Sequence, residues 1–195
     1  VNVVQAGRAD RGRGALERES AIPSCDGLMT DEAGVPLTMN FADCTPLIFC
    51  DPVHHAVAVS HGGWRGTAGN IAAVTLRRMH EAYGTEPGDV LAAIGPAIGA
   101  CCFEVGKEVV DAFAELFSPL EMKELTRAAG DKYYFDLPKA NRLLLLRAGI
   151  RAEHLEDAGL CTYCRDDLFF SYRKARKAGE QTGRHMAVIV WNEGD

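Results

Sequence analysis

Two short segments hold the residue types best suited to chemistry, Asn40-Phe41-Ala42-Asp43-Cys44-Thr45-Pro46 and Ser60-His61-Gly62-Gly63-Trp64-Arg65-Gly66. A thiol and an imidazole brought together can bind a metal or act as nucleophile and base. The planar guanidinium of Arg65 suits bidentate binding of phosphate or carboxylate. Glycines on both sides of Trp64 and Arg65 let the backbone turn sharply and approach a ligand closely. Each residue also has a plain alternative: Cys44 and His61 as packing groups at strand ends, Trp64 as a lid on the core, Arg65 as a salt-bridge partner.

For Cys44 and His61 to act together, two strands must position them. Leu47-Ile48-Phe49-Cys50 and Ala56-Val57-Ala58-Val59 are apolar runs too short for helices and read as buried strands. If they pair as an antiparallel hairpin turning at Pro52 to His55, the start of one lies beside the end of the other and Cys44 meets His61. Around them, Val1 to Val4, Leu28 to Thr30, Val35 to Met39, Val90 to Ile94 and Met186 to Trp191 read as further strands. Helical spacing predicts helices over Ile71 to Tyr83 with Gly84 as C-cap, Glu108 to Phe117 stopped by Ser118-Pro119, and Leu137 to Ala148 stopped by Gly149, with the Leu143 to Leu146 stripe in the core. Strands follow one another without regular βαβ alternation, so the expected class is α+β, a single domain with mixed β-sheets flanked by helices.

Composition bounds the function. A chain of 195 residues, 47% hydrophobic and 25% charged, can bury roughly 70% of its unfolded surface, so it needs neither metal nor disulfide to hold a core. A net charge of −6 argues against nucleic-acid binding. The Arg-rich stretch from Arg8 to Arg18 also carries Asp10 and Glu17 and reads as a solvated loop. The absence of an apolar run near the ~20 residues that span a bilayer argues against a membrane protein. Seven cysteines, an odd count, point to free thiols in a reducing cytoplasm, each one core filler, ligand or nucleophile. Cys161-Thr162-Tyr163-Cys164 has C-x-x-C spacing, but no second such pair exists to complete a tetrahedral zinc and no thioredoxin-like βαβ pattern leads into it. It is therefore expected to be structural or incidental. The neighbours Cys101 and Cys102 cannot readily share a disulfide, and Cys25 and Cys50 suit core packing.

Several blocks, in order, resemble the bacterial laccase-domain proteins, also called multicopper polyphenol oxidases or laccase-domain purine nucleoside phosphorylases. These are Asp26-Gly27-Leu28-Met29-Thr30, Ala42-Asp43-Cys44-Thr45-Pro46, His61-Gly62-Gly63-Trp64-Arg65-Gly66, Ile94-Gly95-Pro96-Ala97-Ile98-Gly99 with Phe103-Glu104-Val105-Gly106, and Cys161-Thr162-Tyr163 with Phe169-Phe170-Ser171-Tyr172-Arg173. The resemblance runs through residues 1–195 as one laccase-domain-like catalytic domain. It implies a zinc or copper ion held by two His and one Cys, with Cys44 and His61 in two of those positions. The third ligand of the family lies in a Gln-x-His-Gly block before a strand that resembles Val1-Asn2-Val3-Val4. The chain is expected to lack that extreme N-terminal segment, since His54, His55, His80, His154 and His185 do not lie in matching context.

The resemblance implies phosphorolysis of adenosine or inosine, with guanosine and methylthioadenosine cleavage and adenosine deamination as related activities; the partners are then a purine nucleoside and phosphate. Cys44, His61 and Glu104 are the catalytic candidates, Glu104 for proton transfer, and Arg65, Arg173 and Asp43 the candidates for phosphate or substrate binding. A His2Cys set with an open position is what a catalytic zinc needs, and copper accepts the same ligands. Three other readings stand beside this one: a metal-free Cys/His hydrolase editing peptidoglycan precursors, a laccase-like polyphenol oxidase, and a non-catalytic domain with an incomplete metal site. Against the oxidase, the six histidines include none of the His-x-His pairs that conventional multicopper oxidases gather.

Overall fold

A computed structural model describes residues 1–192. Its main sheet has six strands in the order β1 (Val3–Gln5), β2 (Gly27–Thr30), β5 (Ala56–Gly62), β4 (Thr45–Asp51), β6 (Leu91–Ile94) and β10 (Leu155–Asp157). The two edge pairs are parallel and the three inner pairs antiparallel. A ribbon of β3 (Leu37–Phe41) and β11 (His185–Ile189) is separate, as is a small sheet of β7 (Glu104–Val105), β9 (Lys132–Phe135) and β8 (Thr126–Ala129). The helices are α1 (Trp64–Ala68), α2 (Ile71–Tyr83), α3 (Lys107–Phe113), α4 (Pro119–Leu125), α5 (Leu137–Arg147) and α6 (Tyr172–Ala178). The architecture is α+β with mixed sheets, as the pattern of elements predicts.

The two central strands explain why their sequences are almost continuously apolar. On β4, Leu47 and Phe49 enter the larger core beneath α2 and α5, while Ile48 and Cys50 face the smaller core under the β3–β11 ribbon. Ala56 and Ala58 of β5 alternate with Val57 and Val59 in the same way. The period of two sends neighbours to opposite faces, and both faces are covered.

Helix α2 buries Ile71, Ala72, Thr75, Leu76 and Met79 on one stripe. The Asn70 side chain accepts from the Ala73 N–H at its start, and Gly84, at φ 77°, closes its end. The Ser60 and Thr75 hydroxyls, 2.8 Å apart, fasten it to β5. The helix expected from Glu108 to Phe117 is shorter, and Ser118-Pro119 opens a helix as well as following one. Ser118 accepts from the Glu121 N–H, Glu121 reaches back to the Ser118 N–H, and Pro119 occupies the first helical turn, where its missing N–H is harmless.

The turn joining β4 to β5 hangs on Asp51, whose side chain is fully buried. Its Oδ1 accepts from the backbone N–H groups of Val53 and His54, and its Oδ2 lies 2.9 Å from His54 Nδ1. Burial pushes the carboxyl pKa up, but the Thr85 hydroxyl facing it and the bonds from His54 and Val53 outweigh that and hold it below 3.8. A depressed folded pKa stabilises fully above the unfolded value, and the contribution disappears as pH falls through the folded pKa. Asp51→Asn is thus expected to lower stability by about 2 kcal/mol at neutral pH. The gap from wild type should stay flat down to about pH 5 and shrink below pH 3.8. Denaturant melts across that range check it; a gap that persists at lower pH would remove the carboxylate from this role.

Candidate functional site

The hairpin register sets Thr45 opposite Gly62 and Pro46 opposite His61. Cys44, one residue before β4, and Gly63, one after β5, therefore flank the same end of the sheet. A Cβ on Gly63 would lie 3.1 Å from Cys44 Sγ and 3.4 Å from His61 Cδ2. The thiol and the imidazole close around a gap that glycine keeps open. The His61 ring stacks on Phe41 of β3, with centroids 4.7 Å apart and planes 13° from parallel. Among the described residues neither ring nitrogen of His61 has a hydrogen-bond partner.

Burial pushes the Cys44 thiol pKa up and the Asp43 charge adds to this, against a smaller opposing pull from Arg184. Burial likewise pushes His61 down, opposed by Asp26. Without a cation the pair is a neutral thiol beside a neutral imidazole, not the thiolate that a cysteine hydrolase uses. The donor types suit a zinc or copper ion, and neutral imidazole is the ligand form. Among the described residues no third His, Cys, Asp or Glu joins them. Cys44 and His61 thus offer two donors of the three-ligand set. His185 lies opposite Phe41 in the β3–β11 ribbon; both its ring nitrogens are buried without a partner and its ring meets Phe169 edge-on.

Cys44 opens onto a cavity of about 730 Å³ between the start of α1, the segment 98–109 and α6. This lies within the size range of small-molecule sites. Arg65, Lys132, Arg173, Arg176 and Lys177 bring cations to its wall, against Asp43, Glu104 and Glu108. His61 stands behind Cys44 and is not part of the wall. The glycine-flanked Trp64 and Arg65 form the first turn of α1, with the Arg65 guanidinium stacked 4.2 Å from the Trp64 ring centroid. Among the described residues no carboxylate pairs with Arg65 or Arg176.

Asp43 and Arg173 are tied into the frame. Asp43 is buried at φ 86°; its Oδ1 accepts from the Thr162 hydroxyl at 2.7 Å and its Oδ2 from the Arg173 N–H at 2.6 Å. Arg173 Nη1 donates to the Glu104 carbonyl at 2.6 Å, and its guanidinium lies over Phe103. The Glu104 side chain faces the cavity from the first residue of β7. Lys132, Arg176 and Lys177 also line it and went unnoticed in the sequence, where scattered surface cations carry no pattern; Tyr172, part of a block that carries the family resemblance, lines it as well.

The C-x-x-C segment, expected to be structural or incidental for want of a second such pair, is gathered with Cys101 and Cys102 into one cluster of four thiols. A parallel bridge between Ala97 and Cys161 brings the two loops together, a contact across the chain that spacing alone does not announce.

Residues 1–192 match the family described as multi-copper polyphenol oxidoreductase laccase. The purine nucleoside phosphorylase YlmD of Geobacillus stearothermophilus is 41% identical over 189 residues, which are 97% of this chain and 68% of that one. YlmD of Bacillus subtilis, also named a purine nucleoside phosphorylase, is 38% identical, and the chain spans 65% of its length. A protein named adenosine deaminase RL5, from an unknown prokaryotic organism, is 39% identical over 173 residues, and the chain spans 64% of it. Among solved structures, YlmD of G. stearothermophilus superposes with a TM-score of 0.90, covering 98% of this chain and 70% of that one. A Bacillus licheniformis protein called YfiH superposes with a TM-score of 0.92 at 37% identity over the same shares of the two chains. With its fold, its ordered motifs and nearly its whole length matched, the chain belongs to the multi-copper polyphenol oxidoreductase laccase family.

Proposed function

We propose that residues 1–195 form the catalytic domain of a metal-dependent purine nucleoside phosphorylase. Its substrates are adenosine and inosine, with guanosine and methylthioadenosine as further ones and adenosine deamination as an accompanying activity. The observation that carries this reading is the cavity at the hairpin end, which joins Cys44, an unpaired Arg65 and Glu104 around a nucleoside-sized space. The names of the relatives support the same chemistry. Seven free thiols, and the lack of any described helix long and apolar enough to cross a membrane, support a cytoplasmic setting.

Phosphate and nucleoside exchange a glycosidic C–N bond for a C–O bond, giving ribose 1-phosphate and a free purine. Cys44 and His61 would hold the zinc or copper ion, which when bound would supply a Lewis acid next to the cavity. Arg65, its plane fixed by stacking on Trp64, presents paired N–H donors to phosphate, with Arg176 and Lys177 nearby. Phe103 and Tyr172 offer apolar faces to the purine. The Glu104 carboxyl delivers a proton to the departing purine nitrogen or takes one from water in deamination.

The test is base release from adenosine and inosine with and without phosphate, together with Glu104→Gln and Arg65→Met. Release should need phosphate and yield ribose 1-phosphate. Glu104→Gln should lower kcat by about a hundredfold or more. Arg65→Met should raise the KM for phosphate about tenfold to a hundredfold. Equal release without phosphate would overturn phosphorolysis, and full activity in Glu104→Gln would free that residue of its role.

A further inference from the structure

Four of the seven cysteines meet at a point that the chemistry above does not use. The sulfur atoms of Cys101, Cys102, Cys161 and Cys164 all lie within 4.8 Å of one another. Cys164 Sγ is 3.4 Å from that of Cys102 and 3.7 Å from that of Cys101. Four sulfurs around a tetrahedral zinc, with Zn–S near 2.3 Å, stand about 3.8 Å apart; the separations of 3.4 and 3.7 Å lie just below that value and none exceeds 4.8 Å. A disulfide would join only two of them.

Backbone contacts hold the two loops in place independently of any ion. The N–H groups of Cys102 and Phe103 both donate to the Gly99 carbonyl, at 3.0 and 2.9 Å. In the facing loop, Thr162 N–H donates to the Ala97 carbonyl at 3.1 Å and Arg165 N–H to the Cys161 carbonyl at 2.9 Å. Gly99 N–H is aimed at Cys161 Sγ, 3.3 Å away. A backbone N–H directed at sulfur favours the thiolate, the form that ligates a metal. Cys101 and Cys164 are exposed, so an ion can enter from solvent without unfolding the loops.

We propose that Cys101, Cys102, Cys161 and Cys164 bind one zinc ion as a closed tetrathiolate site, separate from Cys44 and His61, that fastens the 99–104 turn to the 161–165 turn. Four thiolates with no open position are the donor set of a structural zinc. Each thiol that ligates releases its proton to solvent. The position gives the ion a purpose. Phe103 and Glu104 follow Cys102 directly into the cavity wall, and Thr162, next to Cys161, donates to Asp43 behind Cys44. The ion would hold the far wall of the cavity as a unit.

Cobalt substitution in a Cys44→Ala background tests this, because that variant lacks the other candidate site. The reduced protein should take up one cobalt per chain with the intense thiolate-to-metal absorption of a tetrahedral sulfur site, and zinc should displace it. X-ray absorption of the zinc form should show four sulfurs near 2.3 Å and no nitrogen. Adding Cys161→Ser with Cys164→Ser should remove the signal and weaken zinc binding by on the order of a hundredfold or more. Nitrogen or oxygen in the zinc shell, iron in place of zinc, or an unchanged signal in the serine variant would overturn the proposal. Should the serine variant not fold, alkylation of the unaltered protein decides. The four cysteines should be protected with zinc and labelled after chelation, and equal labelling in both states would overturn the site.

Discussion

Cys44→Ala is expected to lower phosphorolysis by at least about a hundredfold and to remove the metal associated with activity, while leaving the protein folded. The reason is positional. Cys44 leaves the β4 end directly into the cavity, and the gap kept by Gly63 lies between it and His61. His61→Ala should cost as much, and combining the two should add little, because residues that act through one ion are not additive. His61→Ala carries an extra loss of about 1 kcal/mol in stability from its stacking on Phe41. kcat/KM for adenosine, measured beside metal content per chain, checks both. Activity that survives both substitutions would sink the site. An active, metal-free protein whose Cys44 is trapped by an alkylator would favour the hydrolase reading instead.

How much of this was legible in the sequence depended on whether the signal was local. The β4–β5 hairpin was readable because two apolar runs are bracketed by Pro46, Asp51-Pro52 and the His54-His55 turn, and its register follows once those ends are set. Helices α2 and α5 were readable from apolar stripes and from Gly84 and Gly149 beyond their ends. By contrast, α6 buries none of its residues and so has no apolar period to detect. Strands β8 and β9 turn at Gly130 on a half-exposed surface where Arg127 stacks on Tyr134, and their alternation is too weak to read. Helix α1 was hidden by its glycines. The cysteine cluster was invisible for a different reason: its two halves lie 60 residues apart, and long-range contacts such as the bridge between Ala97 and Cys161 join them. The Cys44–His61 pair depended on one hairpin, whereas the four-thiol cluster depended on the tertiary fold.

Asp43→Ala is expected to destabilise the protein by about 3 kcal/mol, since it strips the partner from the Thr162 hydroxyl and the Arg173 N–H, both charge-assisted bonds to a buried carboxylate. For a chain of this size that is a Tm fall of about 6–12 °C. Asp43 also sits at φ 86°, where a Cβ is strained. Asp43→Gly removes the same bonds but relaxes the backbone, so it should be milder than Asp43→Ala by about 1 kcal/mol. The functional effect should not follow that order. Both variants release the backbone of Arg173 and the loop carrying Thr162, so both should raise the KM for phosphate to a similar extent. Equal stability of the two variants would remove backbone strain from the account. Near-native stability in both would show that Asp43 is not the brace behind Cys44. A KM that tracks stability, rather than the shared loss of the two bonds, would detach the brace from the cavity it is held to shape.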